Sequence, residues 1–228
     1  MAKINKGIFG PLTGKIGNFI GSTWMGIPYL KKAPVKDKKP KRSPAQKASS
    51  QKFGYVSQWL VPFHPFITVG FSSLAIRKTA ISAALSSIYN SVFSGVMPDL
   101  KVDYSKMEIS KGPLRGLSNA SIICLKNNTM SIKWDPNPGP SARFNDQLIV
   151  VFYSEKFEMT DGLVGNVNRA DKEHVFSLNE TLIGQPLHAY MAVISYDRKK
   201  SSNTTYVGLI QPYDPSINDL PEPGNDSQ

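Results

Sequence analysis

The chain has 228 residues, 40% of them apolar, a single cysteine and a formal net charge of +10. That is room for one large or two small domains with a packed core, and one thiol excludes an internal disulfide framework or a cysteine-based zinc site. No run approaches the roughly 18 apolar residues of a membrane span, and glycines, Pro11, Thr13 and Lys15 interrupt the stretch that a secretory leader would need to be continuous, so the expectation is a cytoplasmic protein, made and assembled inside the cell.

The charge is local. Up to Lys52 there are twelve Lys/Arg and one acid, a net of +11, whereas Phe53 to Gln228 carries fifteen and sixteen, a net of −1. A basic arm therefore precedes a near-neutral body. In the arm, glycines at 7, 10, 14, 17, 21 and 26 alternate with apolar residues such as Ile8, Phe9, Ile16, Phe19, Trp24 and Ile27. Glycine weakens helices by about 1 kcal/mol each and leaves strands with nothing to pack. The expectation is an extended Gly-rich arm over residues 1–42 that orders against its own body, a neighbouring copy or a nucleic acid. Phe9, Phe19, Trp24 and Tyr29 are its candidate partner contacts. Lys31, Lys32, Lys36, Lys38, Lys39, Lys41 and Arg42 are its candidate phosphate contacts, in a linker that Pro34 and Pro40 keep extended.

Residues 43–98 read as a helical region. Ser43 is the expected N-cap and Pro44 the first helical residue, with Ala45, Ala48, Phe53, Val56 and Leu60 along one face until Pro62 and Pro65 disrupt the helix. A second helix is expected from Thr79 to Phe93, carrying Ile81, Leu85, Ile88 and Val92 at helical spacing and closed by Ser94-Gly95. Ala80, Ala83 and Ala84 leave room for a close neighbour.

Residues 99–211 change texture. Short β-branched and aromatic runs (LKVDY, KMEIS, ASIICL, TMSIKW, QLIVVFY, HVFSL, PLHAYMAVISY, TTYVGLI) alternate with clusters such as KNN, DPNPGP and DRKKSSN. This is the pattern of an antiparallel β-sandwich, with seven strands expected from about Leu117. Residues 212–228, rich in Pro, Asp and Asn, read as a flexible tail. The fold class is α+β.

Little in the sequence points to catalysis. His64, His174 and His188 form no metal-binding spacing. Cys124, between Ile123 and Leu125, reads as a small buried hydrophobe. Glu155, Glu158 and Asp161 cluster in KFEMTDG, which reads as a solvated turn. Lys15 lies in GPLTGKIG, but Ile16 follows it where a phosphate-binding loop needs Ser or Thr. No catalytic residue, metal or cofactor is expected, and the protein reads as non-enzymatic.

Two resemblances follow from these stretches. SIKWDPNPG, QLIVVFY, LIGQPLHAYMAVISYD and TTYVGLI resemble a fibronectin type III or immunoglobulin-like sandwich. That likeness implies core positions for Trp134 and Tyr190, and says nothing of a partner. The whole chain, through MAKINKGIFGPLTGKIGNFIGSTWMGIPYL, SPAQKASSQKF and SNTTYVGL, resembles an uncharacterised Bacteroidota family of unknown function. The resemblance implies that arm, helices and sandwich are one unit. The expected role is a structural or assembly protein, phage- or particle-associated, whose arm docks on neighbouring subunits in a homo-oligomer or on another structural protein. The alternative is non-specific nucleic-acid binding through the Lys-rich arm.

Overall fold

The computed structural model describes residues 3–4, 10–34, 42–126 and 129–213. The chain divides into two compact units, Met1–Lys47 and Ala48–Gln228.

In the first unit, β1 (Lys3–Ile4), β2 (Leu12–Ile16), β3 (Phe19–Trp24) and β4 (Ile27–Lys32) form an antiparallel sheet in chain order. Over residues 10–34 the arm's backbone is extended, and it is also paired. Gly14 and Gly21 lie within the strands, while Gly17 and Gly26 serve the turns. Gly17 (φ +54°) opens the β2–β3 turn, while Met25 (φ +48°) and Gly26 (φ +79°) make the β3–β4 turn. Two-residue hairpin turns need positive φ at these places. At Gly21 a Cβ would fall 2.2 Å from the carbonyl oxygen of Leu12, so only glycine allows the leucine to lie across β3.

Helix α1 (Pro44–Trp59) starts where the sequence predicts. Ser43 Oγ accepts from Gln46 N at 3.2 Å, and Gln46 Oε1 accepts from Ser43 N at 3.0 Å, a reciprocal capping box. Pro62 and Pro65 do more than break the helix. Each lies in the first turn of a new helical piece, a 3-10 turn (Val61–Phe63) and α2 (His64–Gly70), where a missing N–H leaves no intrahelical bond unmade. The buried side chains at the end of α1 are Val56, Trp59 and Leu60, followed by Phe63; Ala45 and Phe53, expected on that face, are exposed. Helix α3 (Ala80–Ile88) takes the side chain of Thr79 as its N-cap, Oγ1 accepting from Ser82 N at 3.1 Å. It stops short of the expected Phe93, because Phe93–Ser94 (β5) pairs with Lys101–Val102 (β6).

The sandwich is present. One sheet runs β11–β8–β7, with β7 Ser118–Cys124, β8 Thr129–Asp135 and β11 Glu173–Ser177. The other runs β10–β9–β12–β13, with β9 Gln147–Ser154, β10 Met159–Asn168, β12 Leu187–Ile194 and β13 Thr205–Ile210. KMEIS forms no strand, and LKVDY contributes only the two residues of β6. Conversely, β10 occupies MTDGLVGNVN, whose start was read as a loop. Its Gly, Asn and Asp are depleted in strands generally, and its pairing with β9 is broken by a register shift between Val164 and Asn168.

The central strands explain how the second unit is layered. Every residue of β12, and all of β9 except Gln147, is buried. Ile149, Val151, Tyr153, Tyr190, Ala192 and Ile194 share a core with Val56, Trp59, Phe63, Ile67 and Ile88 of the helical segment. Their neighbours in alternation, Leu148, Val150, Phe152, Leu187, Ala189 and Met191, share a second core with Ile122, Ile132 and Trp134 of the facing sheet. The unit is thus three layers deep: helices, four-stranded sheet, three-stranded sheet. A strand covered on both faces has no polar side to alternate with, and QLIVVFY and LHAYMAVI have that composition.

Trp134 and Tyr190 are core residues, as the sandwich resemblance implies, but of different cores. Trp134 packs between the sheets and donates its Nε1–H to the carbonyl of Arg169 at 2.9 Å. Tyr190 faces the helices and donates its hydroxyl to the carbonyl of Tyr104 at 2.9 Å. Arg169 itself is 2% exposed. Its guanidinium pairs with buried Asp146 at 3.2 Å and donates to the carbonyls of Arg115, Pro136 and Gly116, fastening three loops at one end of the sandwich. Cys124 is buried in β7.

Candidate functional site

Cross-strand register sorts the arm's side chains onto two faces. Ile16 opposite Phe19, Gly14 opposite Gly21, and Gly21 opposite Leu30 place Ile16, Phe19 and Leu30 on one side with Lys32. Lys15 opposite Ile20, Ile20 opposite Lys31, Ser22 opposite Tyr29, and Trp24 opposite Ile27 place Lys15, Lys31, Tyr29, Trp24 and Ile27 on the other. Lys31 Nζ sits 6.0 Å from the centre of the Tyr29 ring.

Phe19 is 51% exposed and Trp24 57%. Across β2, β3 and β4 only Gly21 is buried. A sheet this small is marginal by itself in water, and among the described residues of the unit nothing closes either face.

The structure therefore splits the expected contact set: Phe19 is on one face, Trp24 and Tyr29 are on the other, and Phe9 lies outside the described residues. Ile16, Ile27 and Leu30 are exposed to a similar degree, although none of them is among the expected contacts. The signal that would have found them is Gly17-Asn18 between two alternating stretches, a hairpin turn by composition.

Of the candidate phosphate contacts, Lys31 and Lys32 lie on opposite faces of β4, and Arg42 is exposed just ahead of α1. Lys36, Lys38, Lys39 and Lys41 lie outside the described residues. β4 is an edge strand that carries Pro28 as well as the two lysines. Proline and lysine both discourage further strand addition at β4.

In the second unit His188 and Glu155 gather with Tyr104, Tyr153, Tyr190 and Tyr206. His188 is 6% exposed. Its Nε2 is hydrogen-bonded to Glu155 Oε1 at 2.6 Å, its Nδ1 to the Tyr206 hydroxyl at 2.9 Å, and its ring stacks on Tyr104 with centroids 4.3 Å apart. Burial pushes the phenols of Tyr104, Tyr153 and Tyr190 well above the ordinary tyrosine range, with nearby carboxylates and phenols adding to the shift.

Glu155, Glu158 and Asp161 do not act as a cluster. Glu155 serves His188, whereas Asp161 accepts from Asn179 N and Gly162 N, each at 2.8 Å. Among the described residues no group of three or more His, Cys, Asp or Glu is placed to hold a metal. Nor is any described helix long and apolar enough to cross a membrane.

The comparisons with known proteins add family and no activity. The model of the Family of unknown function (DUF6266) matches residues 11–208, a span that takes in both the arm's sheet and the sandwich. No curated protein matches. Among solved structures the chain is similar to the fn3 domain of the human collagen alpha-1(XX) chain, at 11% identity and a TM-score of 0.34, over 50% of this chain and 93% of that one.

Proposed function

The chain belongs to that family of unknown function, and we propose that it is a non-enzymatic assembly protein, made in the cytoplasm, whose N-terminal sheet docks on a second copy of the chain within a larger particle. The single observation that carries this reading is the sheet in which only Gly21 is buried while Ile16, Phe19, Trp24, Ile27 and Leu30 stay exposed. Apolar surface of this kind is stabilised by being covered, at about 25 cal/mol per Å² removed from water. Patches of this sort mark association surfaces.

Light scattering after size exclusion, on the full chain and on one beginning at Ser43, tests it. The expected result is a defined oligomer for the full chain and a monomer for the shortened one, at low and high salt alike. A full chain that stays monomeric at high concentration refutes the reading.

A second reading is favoured by one specific juxtaposition: Lys15, Lys31, Tyr29 and Trp24 share a face. Rings interleaved with cations suit single-stranded nucleic acid, where bases stack and phosphates are neutralised. On that reading binding weakens steeply with salt, and Lys15→Ser with Lys31→Ser abolishes it. Binding that ignores both salt and those substitutions rules it out.

A further inference from the structure

The body of the protein has a cleft of about 400 Å³ that the assembly reading leaves without a role. It lies between the segment that follows β6 and the start of β13, with Tyr206, Asn203, Lys106, Lys111 and Glu108 among its walls. We propose that this cleft binds a small uncharged carbohydrate, of one or two sugar rings, through stacking on Tyr206 and hydrogen bonds to the fixed polar groups around it.

The walls are held in place. Thr204 Oγ1 accepts from Ile109 N and Ser110 N, both at 2.9 Å, and donates to Ser110 O at 2.9 Å, locking one wall to the other. The Tyr206 ring is steadied from behind, because its hydroxyl is engaged by His188, which Glu155 and the Tyr104 ring hold in turn. The hydroxyl is thus occupied and the ring lies 5.4 Å from that of Tyr190, so the partly exposed remainder of the ring is what Tyr206 has to offer a ligand.

Asn203 Oδ1 accepts from Gly112 N at 3.2 Å, which leaves the amide NH₂ as a donor. Pockets that bind small molecules combine an apolar surface with a few fixed polar groups in this way, commonly in volumes of about 300–1,000 Å³.

Charge selects the ligand class. Lys111 Nζ is bonded to both carboxylate oxygens of Glu108, at 3.0 and 3.2 Å, and to Ser87 Oγ at 2.8 Å. Lys106 is paired with Asp103 at 2.8 Å. Each cation has its own counter-charge, so an anion entering the cleft would be dehydrated without a net opposite charge to receive it. A neutral polyol meets no such penalty. It can accept from Asn203 and Lys106, donate to Glu108, and lay its C–H face on the tyrosine ring.

Saturation-transfer NMR on the full chain tests this with maltose, cellobiose and N-acetylglucosamine at millimolar concentration, and with inorganic phosphate as the charged competitor. At least one saccharide is expected to show saturable transfer that phosphate does not displace. Asn203→Ala should weaken it by roughly tenfold, the effect of losing one well-placed hydrogen bond. Tyr206→Phe keeps the ring and should retain binding, whereas Tyr206→Leu should lose it.

Asn203→Ala leaves both cores untouched, so it remains decisive if the tyrosine variants fold poorly. Transfer to no saccharide, transfer unaffected by Asn203→Ala, or displacement by phosphate each overturns the proposal. Because the cleft lies wholly in the second unit, this result is independent of whether the arm drives assembly.

Discussion

Phe63 and Phe19 are the same side chain in opposite settings. Phe63 is fully buried in the core between helices and sheet, in ring contact with Trp59, Tyr153 and Tyr190. Phe19 is half exposed on a sheet that buries only Gly21. The second unit has enough layers to cover both faces of its central sheet. Among its described residues the first has one layer, and neither face of its sheet is covered. Apolar content alone therefore does not say where a core is; the number of layers available to enclose it does.

The contrast can be broken most directly by deleting the same ring in both places. Phe63→Ala should destabilise the protein by about 3–5 kcal/mol, read as a fall in the denaturant midpoint. Phe19→Ala should change that midpoint by no more than about 0.5 kcal/mol and act on oligomeric state instead. Equal losses from the two substitutions would mean that the arm's sheet belongs to the folded core.

Arg169→Met probes the body by charge rather than volume. It strands Asp146, which is already fully buried with Oδ1 unpartnered, and should lose about 3–5 kcal/mol in the same measurement.

Alkaline titration sharpens the contrast further. Burial, reinforced by Tyr206 and Tyr153, raises the phenol of Tyr190 above its ordinary value of 10.0. Below pH 10 both folded and unfolded chains keep the proton, and this group's contribution is complete. Above it the unfolded chain gives up its proton first, and stability falls by up to about 1.4 kcal/mol per pH unit for each such group. Denaturant midpoints should therefore drop as pH rises past 10, and Tyr190→Phe should flatten that slope.

A smaller loss than those in the core is expected at the start of α1, where Ser43→Ala removes the cap and should lower stability by about 1 kcal/mol.

Much of the helical region and the sandwich was legible because its signals are local. Ser43-Pro44 marks a helix start, Thr79 opens an apolar helix, and TMSIKW and QLIVVFY are strands by composition. Two things were obscured by competing local rules. Glycine read as a breaker hid the hairpins of the arm, although Met25-Gly26 and Gly17-Asn18 are turns by the same chemistry. The Gly, Asn and Asp of β10 likewise hid a strand that β9 recruits by pairing. Trp59 was missed as a core residue because Phe53, nearer the expected stripe, was the more obvious apolar choice.

The cleft had no local signal at all. Its two walls are far apart in sequence, and Thr204 bonds to Ile109 and Ser110 only once the sheet has formed.

The doubly covered strands also have a kinetic meaning. β9 and β12 contribute alternate residues to two cores, so neither core can open while the other stays intact along these strands. Their amide protons, those of Val151 and Met191 for example, should exchange with solvent only through global unfolding and with a single protection free energy. The sheet of the first unit, which has no such strand, should exchange far sooner. In terms of time rather than contacts, the molecule is a slow body that carries a fast arm.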